Sequence, residues 1–261
     1  MTDTGALVVE RDLMVPVRDE VLLATDVYRP VGPGPFPVLL ERTPYDKSAA
    51  SRSERSAADA RPWSRANLAA AGFAPEDIDY VLCTHLHADH VGWNTRLLDG
   101  RWVPTFPNAR YLFALEEWEH WRVAEWRAAY TTDPYYEDSL LPVMESGQAE
   151  LVATDYALDD AVRIEPWPGH TPGHVCVAVG SPQPSVVLGG DIMHTPLQCA
   201  EPQLNSCFCV DAEMARATRR RFLETFADRP VMIIPAHFPT PTAGWVGSHE
   251  GSFRFRFDRF R

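Results

Sequence analysis

Residues 84–90 read Thr84-His85-Leu86-His87-Ala88-Asp89-His90. The apolar run 78–83 before them predicts a short buried strand. His85 and His87 therefore lie in the loop after that strand, where both imidazoles can turn toward one point. Asp89 and His90 can face a neighbouring point, because adjacent residues in a turn project in different directions. One loop can thus supply ligands to two metal ions.

Three further candidate ligands follow apolar runs and lie in turns rich in glycine and proline: His170, Asp191 and His237. Such turns predict strand ends. With the loop residues they make seven nitrogen and carboxylate ligands, enough for two metals that share one carboxylate. A catalytic zinc takes about three protein ligands and keeps a position for water. A single His-x-His pair could be two surface histidines, but the ordered set of seven indicates a metal site.

On these residues, the chain from about 63 to 261 resembles the metallo-β-lactamase-fold hydrolases. The segments 84–94 and 235–239 are most similar to the lactonase and methyl-parathion-hydrolase group. The resemblance implies an α/β fold, a four-layered αββα sandwich with its site at one edge between two sheets. It also implies the distribution of the ligands: His85, His87 and His170 on the first metal, Asp89, His90 and His237 on the second, and Asp191 as the bridge.

The activity implied is that of a metal-dependent hydrolase for a small ester, lactone or related bond, including phosphotriesters. Attack comes from a hydroxide held between the metals, and Asp89 is the catalytic residue that orients it or takes its proton. Zinc is the default metal for these ligands, and iron, manganese or cobalt also suit them. Two alternatives stay open, namely a mononuclear iron persulfide dioxygenase and a catalytically impaired fusion product.

The front of the chain, residues 13–60, is similar to a different family. Its stretch Glu41-Arg42-Thr43-Pro44-Tyr45-Asp46-Lys47 resembles the N-terminal segment of X-prolyl dipeptidyl peptidase and cocaine-esterase-like α/β-hydrolases. No G-x-S-x-G elbow follows, so Tyr45, which matches that family's oxyanion-hole tyrosine, has no nucleophile to assist. We expect residues 1–60 to be an atypical segment that replaces part of the first sheet, and 61–261 to be the catalytic domain.

Composition narrows the class of partner. With 261 residues and 45% hydrophobic content, the chain can bury one sizeable core. A net charge of −12 argues against nucleic acid, which requires a basic surface, and favours a small-molecule substrate. No apolar stretch approaches the roughly 18–20 residues of a membrane span, and the N-terminus lacks a signal-peptide pattern. We therefore expect no membrane partner and a cytoplasmic location.

Several residues near the predicted ligands have no role assigned by the sequence. His174 and His194 either support the ligands or lie on the surface. Five cysteines without a secretion signal predict reduced thiols. Cys199, Cys207 and Cys209 lack the spacing of a zinc ribbon, so pocket lining or loop packing is expected of them.

Two other segments concern packing. Residues 115–130 predict a single helix with Trp118 and Trp121 at a spacing of three. That helix packs in the core, covers the metal site, or forms the contact of a homodimer. The alternating tail 253–257 predicts a strand that closes a sheet, and 48–65 predicts either a linker or a helix.

Overall fold

The computed structural model describes residues 7–16, 22–30, 73–131, 134–239 and 242–257. The chain divides into two compact units, residues 1–42 and 43–261. In the first unit, strands β1 (Leu7–Pro16) and β2 (Leu22–Pro30) form an antiparallel hairpin. Tyr45 and the predicted linker 48–65 lie outside the described residues.

The second unit contains the other elements of the described residues. Its strands are β3 (Tyr80–Leu82), β4 (Thr95–Leu98), β5 (Arg101–Pro104), β6 (Arg110–Ala114), β7 (Ala149–Val152), β8 (Val162–Pro166), β9 (Val175–Val179), β10 (Val186–Gly190), β11 (Met232–Pro235), β12 (Trp245–His249) and β13 (Ser252–Arg256). Its helices are α1 (Leu115–Trp121), α2 (Ala124–Tyr130), α3 (Tyr135–Ser139), α4 (Leu141–Glu145), α5 (Leu197–Ala200) and α6 (Ala212–Phe226), with a 3-10 turn at Pro75–Asp77.

Two sheets form the middle of this unit. One has the parallel order β3-β6-β7, and the other has the order β11-β10-β9-β8. Within the second sheet β10 and β11 are parallel, while β9 is antiparallel to both β8 and β10. Because β10 and β11 end at the same edge, Asp191 and His237, which follow them, are brought close together. The predicted strand at 253–257 is confirmed, since β13 pairs with β12.

Alternating side chains of the sheets create the layers. In β6, Tyr111 and Phe113 pack toward α1 and α3, whereas Leu112 and Ala114 pack against residues of the other sheet. This period of two is that of a strand buried on both faces. A third cluster joins the second sheet to the apolar face of α6, which includes Phe222. The order is therefore helices, sheet, sheet, helix, and the predicted αββα sandwich is confirmed.

The prediction of a single helix over residues 115–130 is wrong. The chain forms α1 and α2, separated at Arg122 and Val123. The break is stabilised by a local hydrogen bond, because Arg127 Nη1 of α2 donates to the carbonyl of Trp121, 2.7 Å away, at the end of α1. The change of direction also lets Tyr130 stack on His87, with ring centroids 4.1 Å apart.

A glycine turn fixes the segment that carries His170 against α6. Gly169 has φ +128°, and a Cβ there would lie 2.4 Å from the backbone nitrogen of Ala215. The Gly169 carbonyl also accepts the N–H of Asp211, which caps α6. The turn and the start of the helix therefore meet backbone to backbone, and only glycine leaves the space.

We expect Gly169→Ala to lower the free energy of unfolding by about 2–5 kcal/mol, from backbone strain of about 1–2 kcal/mol plus overpacking of about 1–3 kcal/mol. Gly147→Ala is the matched control, because Gly147 has φ +76° but a Cβ there would meet no atom within 4 Å. It should lose only the strain, about 1–2 kcal/mol. Urea unfolding measures both; equal losses would contradict the close contact.

Candidate metal centre

The first group of candidate ligands is buried around one carboxylate oxygen. His85, His87, His170 and Asp191 offer ligand atoms that all lie within 4.8 Å of one another. Asp191 Oδ2 is 3.7 Å from His85 Nε2 and 3.2 Å from His170 Nε2. His87 presents Nδ1, which lies 2.9 Å from His170 Nε2. The residues that the resemblance assigned to the first metal thus come together.

The second group lies beside the first. Asp89 Oδ2 is 3.4 Å from His90 Nε2 and 3.5 Å from His237 Nε2. Asp191 reaches this group as well, with Oδ1 3.1 Å from His90 Nε2 and Oδ2 3.1 Å from His237 Nε2. One carboxylate therefore faces both groups, as a bridging ligand must.

These separations fit divalent metals. Bonds of about 2.0–2.2 Å in a tetrahedron place ligand atoms about 3.3–3.6 Å apart, and the distances between Asp191 and its imidazoles range from 3.1 to 3.7 Å. His85 Nε2 is buried with no hydrogen-bond partner among the described residues. Such an atom is costly in a core unless something satisfies it. A metal at the first group would do so.

The electrostatics favour the protonation states that a metal requires. Burial lowers the pKa of His85 well below its usual value, and burial together with the charge of His170 lowers the pKa of His87 to about 2. Burial acts to raise the pKa of Asp191, but the electrostatic interaction with His85 and several imidazole hydrogen bonds hold that pKa well below its usual value. The group therefore offers neutral imidazoles and an ionised carboxylate.

The second group retains a proton when no metal competes for it. Burial acts to lower the pKa of His90, but hydrogen bonds with Asp191 and Asp89 raise that pKa to about 10. A metal bound here must displace this proton, because only the neutral imidazole is a ligand.

His174 supports the bridging residue. Its Nδ1 lies 3.0 Å from the carbonyl of Trp167, and its Nε2 accepts the backbone N–H of Asp191 at 3.0 Å. Burial lowers the pKa of His174 to about 3, so the ring stays neutral with its proton on Nδ1. Of the two roles left open for this histidine, the structure places it in support of a ligand.

His194 belongs to the site, although the seven-residue set left it out. Its Nε2 lies 3.2 Å from Asp191 Oδ2, and its ring stacks on His237 with centroids 5.1 Å apart. Asp191, His194 and His237 form a third group with metal-ligand spacing. The signal in the sequence was its position three residues after Asp191, just past the end of β10.

A pocket of about 130 Å³ opens onto the ligands. Its walls include His87, Asp89, Tyr130, His170, Asp191, His194 and Phe208. Tyr130 and Phe208 meet edge to face, with centroids 6.3 Å apart. Tyr130 ends the segment 115–130, for which a cover over the metal site was one of the expected roles, whereas no role at the site was predicted for Phe208.

The three clustered cysteines have different surroundings. Cys199 is buried with Sγ 3.5 Å from Met193 Sδ, and Cys207 is exposed. Cys209 Sγ lies 3.6 Å from His170 Nδ1. Cys199 therefore has the packing role expected of the cluster, while the pocket-lining role expected for Cys207 and Cys209 stays a prediction.

Comparison with known proteins identifies the family. Residues 51–249 match the Metallo-beta-lactamase superfamily. The chain belongs to this superfamily. Residues 19–76 match the X-Pro dipeptidyl-peptidase (S15 family), and a 43-residue stretch is 58% identical to cocaine esterase of Rhodococcus sp., covering 16% of this chain and 8% of that protein. Both resemblances found in the sequence are confirmed.

Curated relatives include lactonases. The N-acyl homoserine lactonase of Bacillus thuringiensis is 26% identical over 167 residues, covering 64% of this chain and 58% of the relative. The lactonase AttM of Rhizobium radiobacter is 26% identical over 187 residues, covering 70% and 66%. Matches to such lactonases span from 39% to 66% of their length.

Solved structures share the fold. The hydrolase AbOPH in the beta lactamase superfamily has a TM-score of 0.66 and 26% identity, covering 76% of this chain and 70% of that one. AidC, a dizinc quorum-quenching lactonase, has a TM-score of 0.62 and 20% identity, covering 76% and 70%. Separately, no helix in the described ranges is long and apolar enough to cross a membrane.

We expect the wild-type protein to retain two zinc ions per chain after dialysis and His85→Ala to retain about one. Loss of a residue that merely supports a ligand costs about 10–100-fold in metal affinity, and loss of a ligand should exceed that. His249→Ala, at an exposed histidine of β12, is the control and should keep both ions. Elemental analysis gives the counts; two ions in His85→Ala would remove this residue from the site.

Proposed function

We propose that this protein is a binuclear metal-dependent hydrolase that cleaves a small ester or lactone. The observation that carries the proposal is the position of Asp191, whose two carboxylate oxygens each lie 3.1 Å from an imidazole nitrogen of the second group while Oδ2 is 3.2 Å from His170 of the first. When bound, two divalent metals, of which zinc is the first candidate, would lower the pKa of water to near 7 and polarise the scissile carbonyl. This arrangement favours two metals over a single iron.

Asp89 is the proposed catalytic residue. Burial acts to raise the pKa of Asp89, but the hydrogen bond and charge of His90 outweigh burial and lower that pKa. The carboxylate is therefore ionised, and it lines the pocket. An ionised carboxylate there can orient the attacking water and accept its proton, which is the task of a general base.

The substrate side of the pocket combines one hydroxyl with apolar surface. Burial, followed by the nearby charge of Asp89, raises the pKa of Tyr130 above its usual value, so the phenol stays neutral and can donate a hydrogen bond. Phe208 supplies an exposed aromatic face at the same pocket. A small uncharged ester or lactone with an apolar substituent suits these walls.

Two related assignments complete the proposal. Residues 61–261 act as the catalytic domain, and residues 1–60 as an N-terminal segment without a nucleophile. The net charge of −12 supports a small-molecule substrate and no nucleic-acid partner, and a cytoplasmic location is part of the same proposal. The relatives from Bacillus thuringiensis and Rhizobium radiobacter are called N-acyl homoserine lactonases, so a lactone is the first substrate to test.

We expect the zinc-loaded protein to hydrolyse at least one member of a panel of lactones, aryl esters and phosphotriesters. Asp89→Asn should lower kcat by about 10²–10⁴-fold, the usual contribution of a general base. Asp155→Asn, in a turn outside the site, is the matched control and should stay within twofold of wild type.

Initial rates followed by pH-stat titration compare the three proteins on the same substrates. A wild-type protein that carries two zinc ions and turns over nothing on the panel would refute the hydrolase proposal. Wild-type kcat in Asp89→Asn would refute the role of this carboxylate alone.

A further inference from the structure

Glu117 is a buried carboxylate that the proposed reaction does not use. It lies in α1 with 1% of its surface exposed. Burial raises the pKa of Glu117, and hydrogen bonds from the backbone N–H groups of Leu86 and Gly173 and from the Trp121 side chain act in the opposite direction. No salt bridge to it forms within the described residues. A buried carboxyl group is costly unless hydrogen bonds satisfy it, so the donors around Glu117 decide whether it is tolerated.

Those donors come from two ligand segments. Glu117 Oε2 accepts the backbone N–H of Leu86 at 2.9 Å, and Oε1 accepts the backbone N–H of Gly173 at 2.9 Å. Leu86 stands between the ligands His85 and His87, and Gly173 lies in the turn that holds His170. The two N–H groups are 31 and 56 positions away from Glu117 in the sequence. One side chain therefore ties together the two segments that carry every histidine of the first group.

The packing around this carboxylate is close on both sides. A Cβ at Gly173 would lie 2.6 Å from the backbone nitrogen of Glu117, so the turn is in close contact with the backbone of α1. Trp121 Nε1 donates to Glu117 Oε2 at 2.8 Å, and the Trp121 ring meets His87 edge to face at 5.1 Å. The carboxylate is thus held in place by its own helix while it holds the two ligand segments.

We propose that Glu117 is a positioning residue that sets the separation of the two ligand segments and thereby the affinity of the first metal group. The inference rests on the proposed function to the extent that the first group binds a metal. Glu117 acts through the backbone that carries the histidines, since it accepts hydrogen bonds from main-chain N–H groups of both segments.

Glu117→Gln tests the inference with almost no change in volume. An amide has one acceptor oxygen, so its nitrogen must face either Gly173 N–H or the pair formed by Leu86 N–H and Trp121 Nε1–H. If the amide nitrogen faces Gly173, one hydrogen bond is lost. If it faces Leu86 and Trp121, two hydrogen bonds are lost. The substitution should therefore free the His170 turn and leave the His85–His87 loop attached, whereas Glu117→Leu should free both.

The first readout is zinc affinity by competition with a chelator. We expect Glu117→Gln to lower the affinity for one of the two zinc ions by about 10–100-fold, the usual effect of losing a partner that orients a ligand. The affinity for the other ion should stay within threefold of wild type. In a His85→Ala background, where the first group is already lost, the same substitution should have no further effect. Leu140→Ala, a cavity in the same buried cluster, is the control for lost stability and should keep both affinities.

The second readout does not depend on metal. Hydrogen exchange of the metal-free protein should show faster exchange at the Gly173 amide in Glu117→Gln, and at both the Leu86 and Gly173 amides in Glu117→Leu. Cobalt-loaded Glu117→Gln should also show a visible spectrum altered for the first site, which a loss of global stability would not produce. If Glu117→Leu does not fold, Glu117→Gln carries the test.

The outcomes separate the two proposals. Wild-type protein that binds no zinc would refute the proposed function. Wild-type protein that binds two zinc ions, together with a Glu117→Gln variant of unchanged affinities and unchanged exchange at Gly173, would refute the positioning role and leave the proposed function standing.

Discussion

The carboxylate of Asp191 is 3% exposed and lies among imidazole nitrogens from every ligand segment of the chain. A buried charge costs several kcal/mol unless its surroundings compensate, so these imidazoles and this carboxylate stabilise the same arrangement. The protons are distributed unevenly among these imidazoles. His85 and His87 of the first group are neutral, while His90 of the second group keeps a proton that a second metal must replace.

The loops that converge on Asp191 are joined to one another by backbone hydrogen bonds. The N–H of Val175 donates to the carbonyl of Thr84 at 2.9 Å, which joins the start of β9 to the loop of His85. The N–H of Ala236 donates to the carbonyl of Gly190 at 3.1 Å, which joins the His237 turn to the Asp191 turn. Each ligand segment therefore follows a strand and is also tied to its neighbour. Displacement of one loop would move the others, because the hydrogen bonds are shared.

The layers and the seven candidate ligands could be predicted from the sequence, but the residues that support them could not. His85 and Asp191 could be found because a strand end followed by a polar turn is a local pattern. Tyr130 could not, since it reaches His87 only because the chain breaks after Trp121, where the side chain of Arg127 donates to the last carbonyl of α1. Glu117 gave no local signal either, because its position in the first turn of a helix is equally typical of a solvated acid. Its partners are 31 and 56 positions away, and such pairings become visible only once the two sheets are stacked.

His87 and Asp191 are held by aromatic packing and by the main chain, without a hydrogen bond to an outer ring nitrogen of His87 in the described residues. Ligand imidazoles in metal sites usually donate their second N–H to a carboxylate or a carbonyl. Here Nε2 of His87 has no hydrogen-bond partner within the described residues, and its ring lies between Tyr130 and Trp121. Asp191 is held by its own backbone N–H, which His174 accepts. Because aromatic packing fixes the position of a ring without polarising it, these contacts orient His87 while leaving its basicity to burial and to the metal.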